Sequence, residues 1–203
     1  MSTPVRAGLP TMIDLTPTTD RSAAVATAVA DDHLDRPTPA GSVRQVLQHL
    51  LGLGVAFRDA AAKVDGPTTR TPPAPVDDPL PEDWREELPG VLADLAAAWR
   101  QPDAWTGMTR AGGVELPGEV AGLVALDEVL LHGADLALAT GQAYEPSDAE
   151  CDAVLPIVSP SREVPDGSDR GGLFGPVVPV PDEAAYFDRV LGLSGRTPRT
   201  PPP

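Results

Sequence analysis

Apolar residues recur at helical spacing in the segment that follows Ser42. Residues three and four positions apart lie on one face of a helix, so this recurrence predicts a helix from residue 43 to about residue 63. The apolar stripe consists of Val43, Val46, Leu47, Leu50, Leu53 and Phe57. The Ser42 hydroxyl is placed to cap the first turn. His49 lies three residues after Val46 and four before Leu53, and it therefore borders the stripe.

The longest uninterrupted helical pattern begins at Pro117 and closes at Gly141. Glycine is common just beyond a helix C-terminus because it adopts left-handed backbone angles without strain. Apolar residues occupy most sides of this segment, which predicts a helix at the centre of the fold. Glu128, His132 and Asp135 form a polar strip on one of its faces, since residues three or four positions apart lie one turn apart.

Shorter patterns of the same kind predict helices over residues 16–30, 82–100, 147–158 and 182–193. Thr16 is predicted to cap the first of them, with Pro17 at the first helical position. Pro89 lies inside the second and is expected to kink it or divide it, because proline lacks the N–H that a helix interior needs. Ser147 is predicted to cap the third.

Loops and one weak strand signal separate these helices. Residues 106–116 alternate and carry Gly112-Gly113, a pair typical of tight turns, so a small hairpin is predicted there. The proline-rich residues 64–81 and the glycine- and proline-rich residues 159–181 are predicted to be long loops. With almost no other strand signal, the pattern predicts an all-α helical bundle with a short extra C-terminal helix.

The size and charge of the chain exclude several classes of protein. At 203 residues it is expected to form one domain. The net charge of −15 and the lack of a basic stripe argue against a nucleic-acid-binding surface and against a polybasic membrane anchor. The one cysteine, Cys151, excludes an internal disulfide, and no segment is apolar and long enough to span a bilayer. The N-terminus lacks the pattern of a signal peptide, so we expect a cytoplasmic protein.

Two of the three histidines fall in the two strongest helical patterns. His49, Glu128 and His132 would supply two imidazoles and one carboxylate inside a bundle, which is the donor set of a three-ligand metal site. These donors suit Zn²⁺ first, and also Ni²⁺, Fe²⁺ or Mn²⁺, since no thiolate is present to bias the choice. Three protein ligands leave a fourth position for water or substrate. Asp135 is expected to accept the second ring N–H of a ligating histidine.

A simpler interpretation of the same residues stays open. A Glu–His pair four positions apart is common on helix surfaces, and a histidine beside an apolar stripe is often only a hydrogen-bonded boundary residue. The polar strip would then be a hydrogen-bond network in a bundle that binds no metal. Cys151 is expected to be packed and unreactive, because no histidine lies near it in the sequence.

Several segments of the chain resemble one family of metal-binding proteins. They are PTP at 37–39, VRQVLQHL at 43–50, ALDEVLLHGADLA at 125–137, FGPVVPVP at 174–181 and DRVLGLSGR at 188–196. They resemble actinobacterial DinB-like proteins, and in particular the group related to the N-terminal domain of mycothiol-dependent maleylpyruvate isomerase. The resemblance covers roughly residues 12–198. It implies a flexible extension at 1–11, a single domain at 12–195 and a disordered tail at 196–203.

The resemblance implies a DinB-like four-helix bundle that holds a divalent metal through His49, Glu128 and His132. It also implies a low-molecular-weight thiol such as mycothiol as cofactor, whose sulfur approaches the metal. Two segments depart from many relatives: residues 39–42 lack a cysteine and an aromatic residue, and Gly-Ala-Asp at 133–135 replaces Gly-Trp-Asp. The substrate-binding arginine of the full isomerase has no match, so maleylpyruvate isomerisation itself is not expected.

Two functions follow from these expectations. The first is a metal- and thiol-dependent transferase or isomerase that acts on a small-molecule electrophile. The alternative is a non-catalytic metal-binding bundle that serves as a sensor or binds a partner. A homodimer is compatible with either function, and the sequence leaves open whether the loop at 159–181 closes over the site.

Overall fold

The computed structural model of the chain describes residues 12–72, 79–161, 163–168, 170 and 173–198. Its helices are α1 (Thr16–Thr27), α2 (Val43–Ala61), α3 (Pro67–Arg70), α4 (Trp84–Trp99), α5 (Gly118–Thr140), α6 (Asp148–Val158) and α7 (Tyr186–Leu193). Short 3₁₀ turns lie at Asp31–His33 and Pro102–Trp105. Two antiparallel hairpins pair β1 (Pro37–Thr38) with β2 (Gly41–Ser42) and β3 (Met108–Ala111) with β4 (Val114–Pro117).

The long helices α1, α2, α4 and α5 form the bundle. Helices α1 and α2 each pack against both α4 and α5. Helix α6 packs against α5, and α7 packs against α6. The prediction of an all-α four-helix bundle with a small hairpin and a short extra C-terminal helix is therefore confirmed.

Helix α5 supplies much of the core, in agreement with its apolar sequence. Its fully buried side chains join those of α2 and α4 in one cluster, which includes Leu47, Leu50, Leu88, Leu92, Leu123, Leu126 and Leu130. Burying one such side chain stabilises the folded state by roughly 1.5–3 kcal/mol. Packing of this kind, more than helix propensity, holds helices of this length together.

Local caps set one end of each helix that carries a candidate ligand. The Ser42 hydroxyl accepts a hydrogen bond from the Gln45 N–H, and the Gln45 side-chain carbonyl accepts one from the Ser42 N–H. This capping box begins α2 as predicted. Gly141 has a φ of 81° and ends α5 with a left-handed residue, again as predicted.

The predicted hairpin is confirmed at β3 and β4. Their register places Met108 opposite Pro117 and Ala111 opposite Val114. The two residues of the turn, Gly112 and Gly113, have φ angles of 57° and 80°. Both angles are positive, as a two-residue hairpin turn of this kind requires, and glycine adopts them without strain.

The start of α1 differs from the prediction. Leu15, rather than Thr16, holds the capping position. The Asp14 carboxylate accepts hydrogen bonds from the Thr16 N–H at 3.0 Å and from the Thr16 hydroxyl at 2.6 Å. The carboxylate thus engages the hydroxyl that was expected to act as the cap. The helix also ends at Thr27 rather than near residue 30.

Helices α4 and α7 also differ from their predictions. Pro89 does not divide α4, which runs unbroken from Trp84 to Trp99. Leu88 and Leu92, on either side of the proline, are fully buried, so core packing holds the helix together across it. Helix α7 begins at Tyr186 rather than at residue 182.

The predicted loops and chain ends are only partly described. The loop at 64–81 contains the short helix α3, and its residues 73–78 lie outside the described residues. The extension predicted at 1–11 lies wholly outside them, as do residues 199–203. Arg196, expected to begin a disordered tail, is only 7% exposed, so any tail begins after it. Among the described helices, none has the length and apolar character that crossing a lipid bilayer requires.

Candidate metal centre

The packing of α2 against α5 brings three predicted ligands together. One donor atom each from His49, Glu128 and His132 lies within 4.8 Å of the other two. Glu128 Oε2 is 3.3 Å from His49 Nε2 and 3.2 Å from His132 Nε2. Two nitrogens and one oxygen at these separations can bind a single divalent cation after small side-chain movements. The structure therefore brings together the three residues that the sequence singled out.

The two imidazoles approach each other nearly at right angles. Their ring centroids are 4.9 Å apart, and the ring planes are inclined by 87°. His49 comes from the edge of the apolar stripe of α2, whereas Glu128 and His132 lie one turn apart on α5. The helical repeat of α5 therefore sets the spacing of Glu128 and His132. The packing of α2 against α5 sets the distance of both residues from His49.

The candidate site lies at the border between core and solvent. The side chains of His49 and Glu128 are each 32% exposed, whereas that of His132 is 11% exposed. One side of the donor set thus faces solvent and the other faces the core. This is the arrangement that allows a further ligand to reach a cation from outside the bundle.

Asp135 lies on the core side of His132. Its Oδ2 atom is 3.1 Å from His132 Nδ1, and the carboxylate is completely buried. When His132 Nδ1 carries the proton and donates it to Asp135, the Nε2 atom is left to face Glu128 and His49. The structure therefore places Asp135 where the sequence analysis expected a partner of a ligating histidine.

Arg196 is a member of this group that the sequence analysis missed. Its Nε atom donates to Asp135 Oδ1 at 2.8 Å, and its Nη2 atom donates to Asp135 Oδ2 at 2.8 Å. The two residues are 61 positions apart in the sequence. Helical spacing cannot reveal such a pair, and the only signal was that Arg196 ends a segment that resembles the family.

The charged residues of the candidate site shift one another's pKa. Burial alone would raise the pKa of Glu128, but hydrogen bonds from His132 and His49 outweigh it and lower that pKa well below its usual range. Burial would likewise lower the pKa of His132, yet hydrogen bonds to Asp135 and Glu128 raise it from 6.5 to about 9. In the absence of a metal, a carboxylate and an imidazolium therefore lie side by side at neutral pH.

Asp127, next to Glu128, is a second residue that the sequence analysis missed. It is 3% exposed, and its Oδ1 atom has no hydrogen-bond partner among the described residues. Burial, together with the charge of Glu128, raises the pKa of Asp127 to about 8. With that pKa the Asp127 side chain is a neutral carboxylic acid at pH 7, because protonation avoids the cost of burying a second charge beside Glu128.

The cysteine and the third histidine of the chain lie elsewhere. Cys151 on α6 is 1% exposed, and burial, with three neighbouring carboxylates, raises the pKa of its thiol to about 11. It is therefore a packed and unreactive thiol, as predicted. His33 lies in a 3₁₀ turn, where its Nε2 atom is 3.9 Å from Asp32. The described part of the chain contains no second group of residues placed to hold a metal ion.

A separate cleft of about 540 Å³ opens beside the hairpin. Its lining consists of Met12, Pro102, Trp105, Thr106, Gly107, Pro117 and Glu119. None of the three candidate ligands belongs to this lining. This cleft and the donor set are thus different features of the molecule.

Comparison with known proteins matches about three fifths of the chain to one family. Residues 15–137 match the mycothiol maleylpyruvate isomerase N-terminal domain. The matched region contains all three candidate ligands and Asp135, whereas Arg196 lies outside it. Searches of curated proteins and of solved structures found no match. Since the match covers more than half of the sequence and the fold is the expected all-α bundle, the chain belongs to the family of mycothiol maleylpyruvate isomerase N-terminal domains.

Proposed function

We propose that the protein binds one divalent metal ion through His49, Glu128 and His132 and uses it in a reaction between a low-molecular-weight thiol and a small electrophile. The observation that carries this proposal is the convergence of three donor atoms from two helices within 4.8 Å of one another. Family membership, over a region that contains all three residues, supports it independently.

The donor set determines which metals fit. Two imidazole nitrogens and one carboxylate oxygen favour Zn²⁺, and they also accept Ni²⁺, Fe²⁺ and Mn²⁺. The positions of the donor atoms suit a cation as well. Glu128 Oε2 already lies between the Nε2 atoms of His49 and His132, and each nitrogen can bind a metal once it is deprotonated. A metal held there would supply Lewis acidity and lower the pKa of a thiol or water that reaches it.

The residues of the chain have separate tasks in this proposal. Asp135 orients His132 through its Nδ1 atom, so that Nε2 is presented to the metal. The exposed sides of His49 and Glu128 leave a route from solvent for the thiol. Binding the thiol and the electrophile at one site makes their reaction effectively unimolecular, which lowers its entropic cost.

A second candidate function has an observation in its favour. The cleft of about 540 Å³ does not include any of the three candidate ligands in its lining. An enzyme that binds mycothiol needs a cavity beside the metal, since small-molecule sites are concave. A metal-binding protein without turnover, acting as a sensor or binding a partner, needs no such cavity.

Both candidate functions require a bound metal, and a measurement of metal content tests this requirement. We expect about one equivalent of zinc or another divalent metal in the purified protein, measured by elemental mass spectrometry. His49→Ala, Glu128→Ala and His132→Ala should each lose it. His33→Ala is the matched control, because it removes the remaining histidine, which lies outside the candidate site. Equal metal content in His33→Ala and His132→Ala would refute the assignment.

Thiol chemistry then separates the two functions. The metal-loaded protein should accelerate the conjugation of mycothiol to a chromogenic electrophile such as 1-chloro-2,4-dinitrobenzene, and Glu128→Ala should not. A protein that binds stoichiometric metal but accelerates no conjugation or isomerisation of a panel of electrophiles would support the sensor or partner-binding function instead.

We also propose that the chain works in the cytoplasm, where its single buried thiol and a reduced low-molecular-weight thiol would coexist. A homodimer is compatible with the bundle, and sedimentation velocity across a range of protein concentrations tests it. A single species with the mass of one chain, 21.1 kDa, would exclude the dimer.

A further inference from the structure

We propose that Arg196 is a positioning residue of the metal centre. It clamps both oxygens of Asp135, and the clamped carboxylate holds His132 in the tautomer that offers Nε2 to the metal. The C-terminal segment beyond the matched domain would thereby determine how tightly the centre binds its ion. This inference rests on the proposed metal site, and its test below separates the two.

The clamp is a two-point contact between planar groups. Arg196 Nε and Nη2 each donate to a different oxygen of Asp135, both at 2.8 Å. Two parallel bonds between a guanidinium and a carboxylate fix the plane of the carboxylate as well as its position. A lysine would hold the charge but not the plane, because its ammonium is a point donor.

The fixed Asp135 carboxylate in turn orients the imidazole ring of His132. Its Oδ2 atom accepts both from Arg196 Nη2 and from His132 Nδ1, the latter at 3.1 Å. Since guanidinium only donates, the carboxylate oxygens face donors on both sides, and His132 must present an N–H at Nδ1. The other ring nitrogen, Nε2, then points at Glu128, 3.2 Å away, on the side of the candidate metal.

The backbone that carries Arg196 is itself fixed. The Arg196 N–H donates to the Leu191 carbonyl at 2.9 Å, and the Gly195 N–H donates to the Gly192 carbonyl at 3.0 Å. With Gly195 at a φ of 81°, these two bonds form the Schellman cap of α7. The cap therefore holds the backbone of Arg196 in one conformation, from which its side chain reaches Asp135 on α5.

Both side chains are removed from solvent. The side chain of Arg196 is 8% exposed, and that of Asp135 is 0% exposed. A contact of this kind does not rearrange freely, because Arg196 without Asp135 would be a buried and unpaired charge, and Asp135 without Arg196 would keep only its contact with His132. The pair is thus a rigid support for His132, in contrast to the half-exposed side of the site formed by His49 and Glu128.

The test compares Arg196→Met, Arg196→Lys and the control Arg21→Met. Arg21 forms a similar two-point contact with Glu150, whose side chain is 4% exposed, and contacts none of the candidate ligands in the described structure. Zinc affinity is measured by competition with a chromophoric chelator. We expect Arg196→Met to bind Zn²⁺ about tenfold more weakly, the usual effect of losing an outer-shell partner. Arg196→Lys should recover part of the loss, and Arg21→Met should bind as the unaltered protein does.

Two further readouts separate positioning from mere stability. In the metal-free protein at about pH 10, where the His132 ring is neutral, long-range ¹H–¹⁵N NMR spectra should show its proton on Nδ1, and Arg196→Met should show a mixture of the two tautomers. The visible spectrum of the Co²⁺-loaded protein should change in Arg196→Met but not in Arg21→Met. If Arg196→Met does not fold, Arg196→Lys decides the question by the same spectra.

The results of these experiments distinguish a failure of the positioning role of Arg196 from a failure of the proposed metal site. Unchanged zinc affinity and unchanged His132 spectra in the folded Arg196 variants would overturn the inference. Equal losses in Arg196→Met and Arg21→Met would also overturn it, because they would show a general effect of stability. If the unaltered protein binds neither Zn²⁺ nor Co²⁺, the proposed function fails, and unchanged His132 spectra in the metal-free Arg196 variants would then overturn the positioning role separately.

Discussion

Glu128 Oε2 lies 3.3 Å from His49 Nε2, and this contact joins α5 to α2 across 79 positions of the sequence. The same oxygen is 3.2 Å from His132 Nε2. One carboxylate oxygen therefore serves two imidazoles, and the pKa of Glu128 is held low by both. A divalent cation and a proton compete for the same nitrogens, because a histidine must lose its proton on a nitrogen before that nitrogen binds a metal.

Metal binding is expected to release a proton. The hydrogen bonds to Asp135 and Glu128 raise the pKa of His132 to about 9 despite its burial, so the metal-free protein carries imidazolium at pH 7. A titration with Zn²⁺ at pH 7, by calorimetry in two buffers of different ionisation enthalpy, should show about one proton released per metal. Zinc affinity should then rise about tenfold per pH unit up to the pKa of His132.

The control for this prediction is Asp135→Asn. It replaces the charged partner of His132 by an amide, so it should lower the pKa of His132 and reduce the number of protons released at pH 7. Identical apparent binding enthalpies in both buffers for the unaltered protein would contradict the prediction.

Glu150 should make the stability of the bundle depend on acid. Burial raises its pKa, but hydrogen bonds from Arg21, Thr18 and Ser147 outweigh burial and lower it from 4.5 to about 2. Because the folded-state pKa lies below the unfolded one, the stabilisation is complete above pH 4.5 and is lost as pH falls towards 2. At pH 7 this shift corresponds to about 3 kcal/mol, which solvent screening at the 23% exposed Arg21 side chain lowers to about 2–3 kcal/mol.

Glu150→Gln tests the acid dependence. At pH 7 the variant should lose about 2–3 kcal/mol of unfolding free energy, measured by urea denaturation. The difference between the two proteins should shrink steadily below pH 4.5. A constant difference between pH 7 and pH 3 would show that the loss comes from packing and not from the charge of Glu150.

Gly133 is expected to tolerate no side chain. It lies one residue after His132 on α5, and an added methyl group would collide with the Ser22 and Tyr144 hydroxyls. Those hydroxyls contact each other at 2.9 Å, and Ser22 also donates to the Val129 carbonyl. Gly133→Ala should therefore destabilise the fold by about 1–3 kcal/mol in thermal or urea unfolding.

The matched control is Gly52→Ala on α2. Nothing lies within 4 Å of the methyl group that this substitution adds. Alanine is a better helix former than glycine, so the control should stabilise the protein by up to about 1 kcal/mol. Equal effects of the two substitutions would contradict the packing assigned to Gly133.

Arg170 should hold the described part of the loop at 159–181 against the bundle. Its guanidinium donates to the carbonyls of Val158 and Leu193, at the C-terminal ends of α6 and α7, and also to those of Gly167 and Gly175. Arg170→Met removes all these donors and should increase the rate of limited proteolysis within the loop by about tenfold.

Arg189→Met serves as the control for the loop. In the described structure Arg189 lies over the Tyr186 ring on α7 and does not contact the loop carbonyls that Arg170 binds. Its substitution should leave the cleavage pattern unchanged. Slower cleavage of the unaltered protein in the presence of thiol and metal would indicate that this loop closes over the site, a question that the sequence left open.

The elements that the sequence predicted well are those with local causes. The capping box of Ser42 and Gln45 and the left-handed Gly141 involve residues within a few positions of one another. The helical spacing of Glu128 and His132 is local in the same sense, so the pairing of two of the three candidate ligands could be derived from periodicity. The role of Thr16 was predicted wrongly because an equally local competitor, Asp14, engages its hydroxyl.

The elements that the sequence predicted poorly depend on which surfaces meet. Helix α4 stays whole at Pro89 because buried leucines flank the proline on either side. The burial of Asp127, whose Oδ1 atom has no partner among the described residues, follows from the packing of α5 inside the bundle. Neither feature has a signal in residue spacing, because burial is a property of the assembled fold.

The sequence by itself determined most of the helices, the caps of α2 and α5 and the polar strip on the central helix, since backbone hydrogen bonding and helical periodicity act over one or two turns. Only the tertiary structure decided that His49 reaches Glu128 and that Arg196 reaches Asp135. These contacts span 79 and 61 positions. They exist because burying the apolar faces of α2, α5 and α7 sets the distance between their polar edges, which no local interaction can fix.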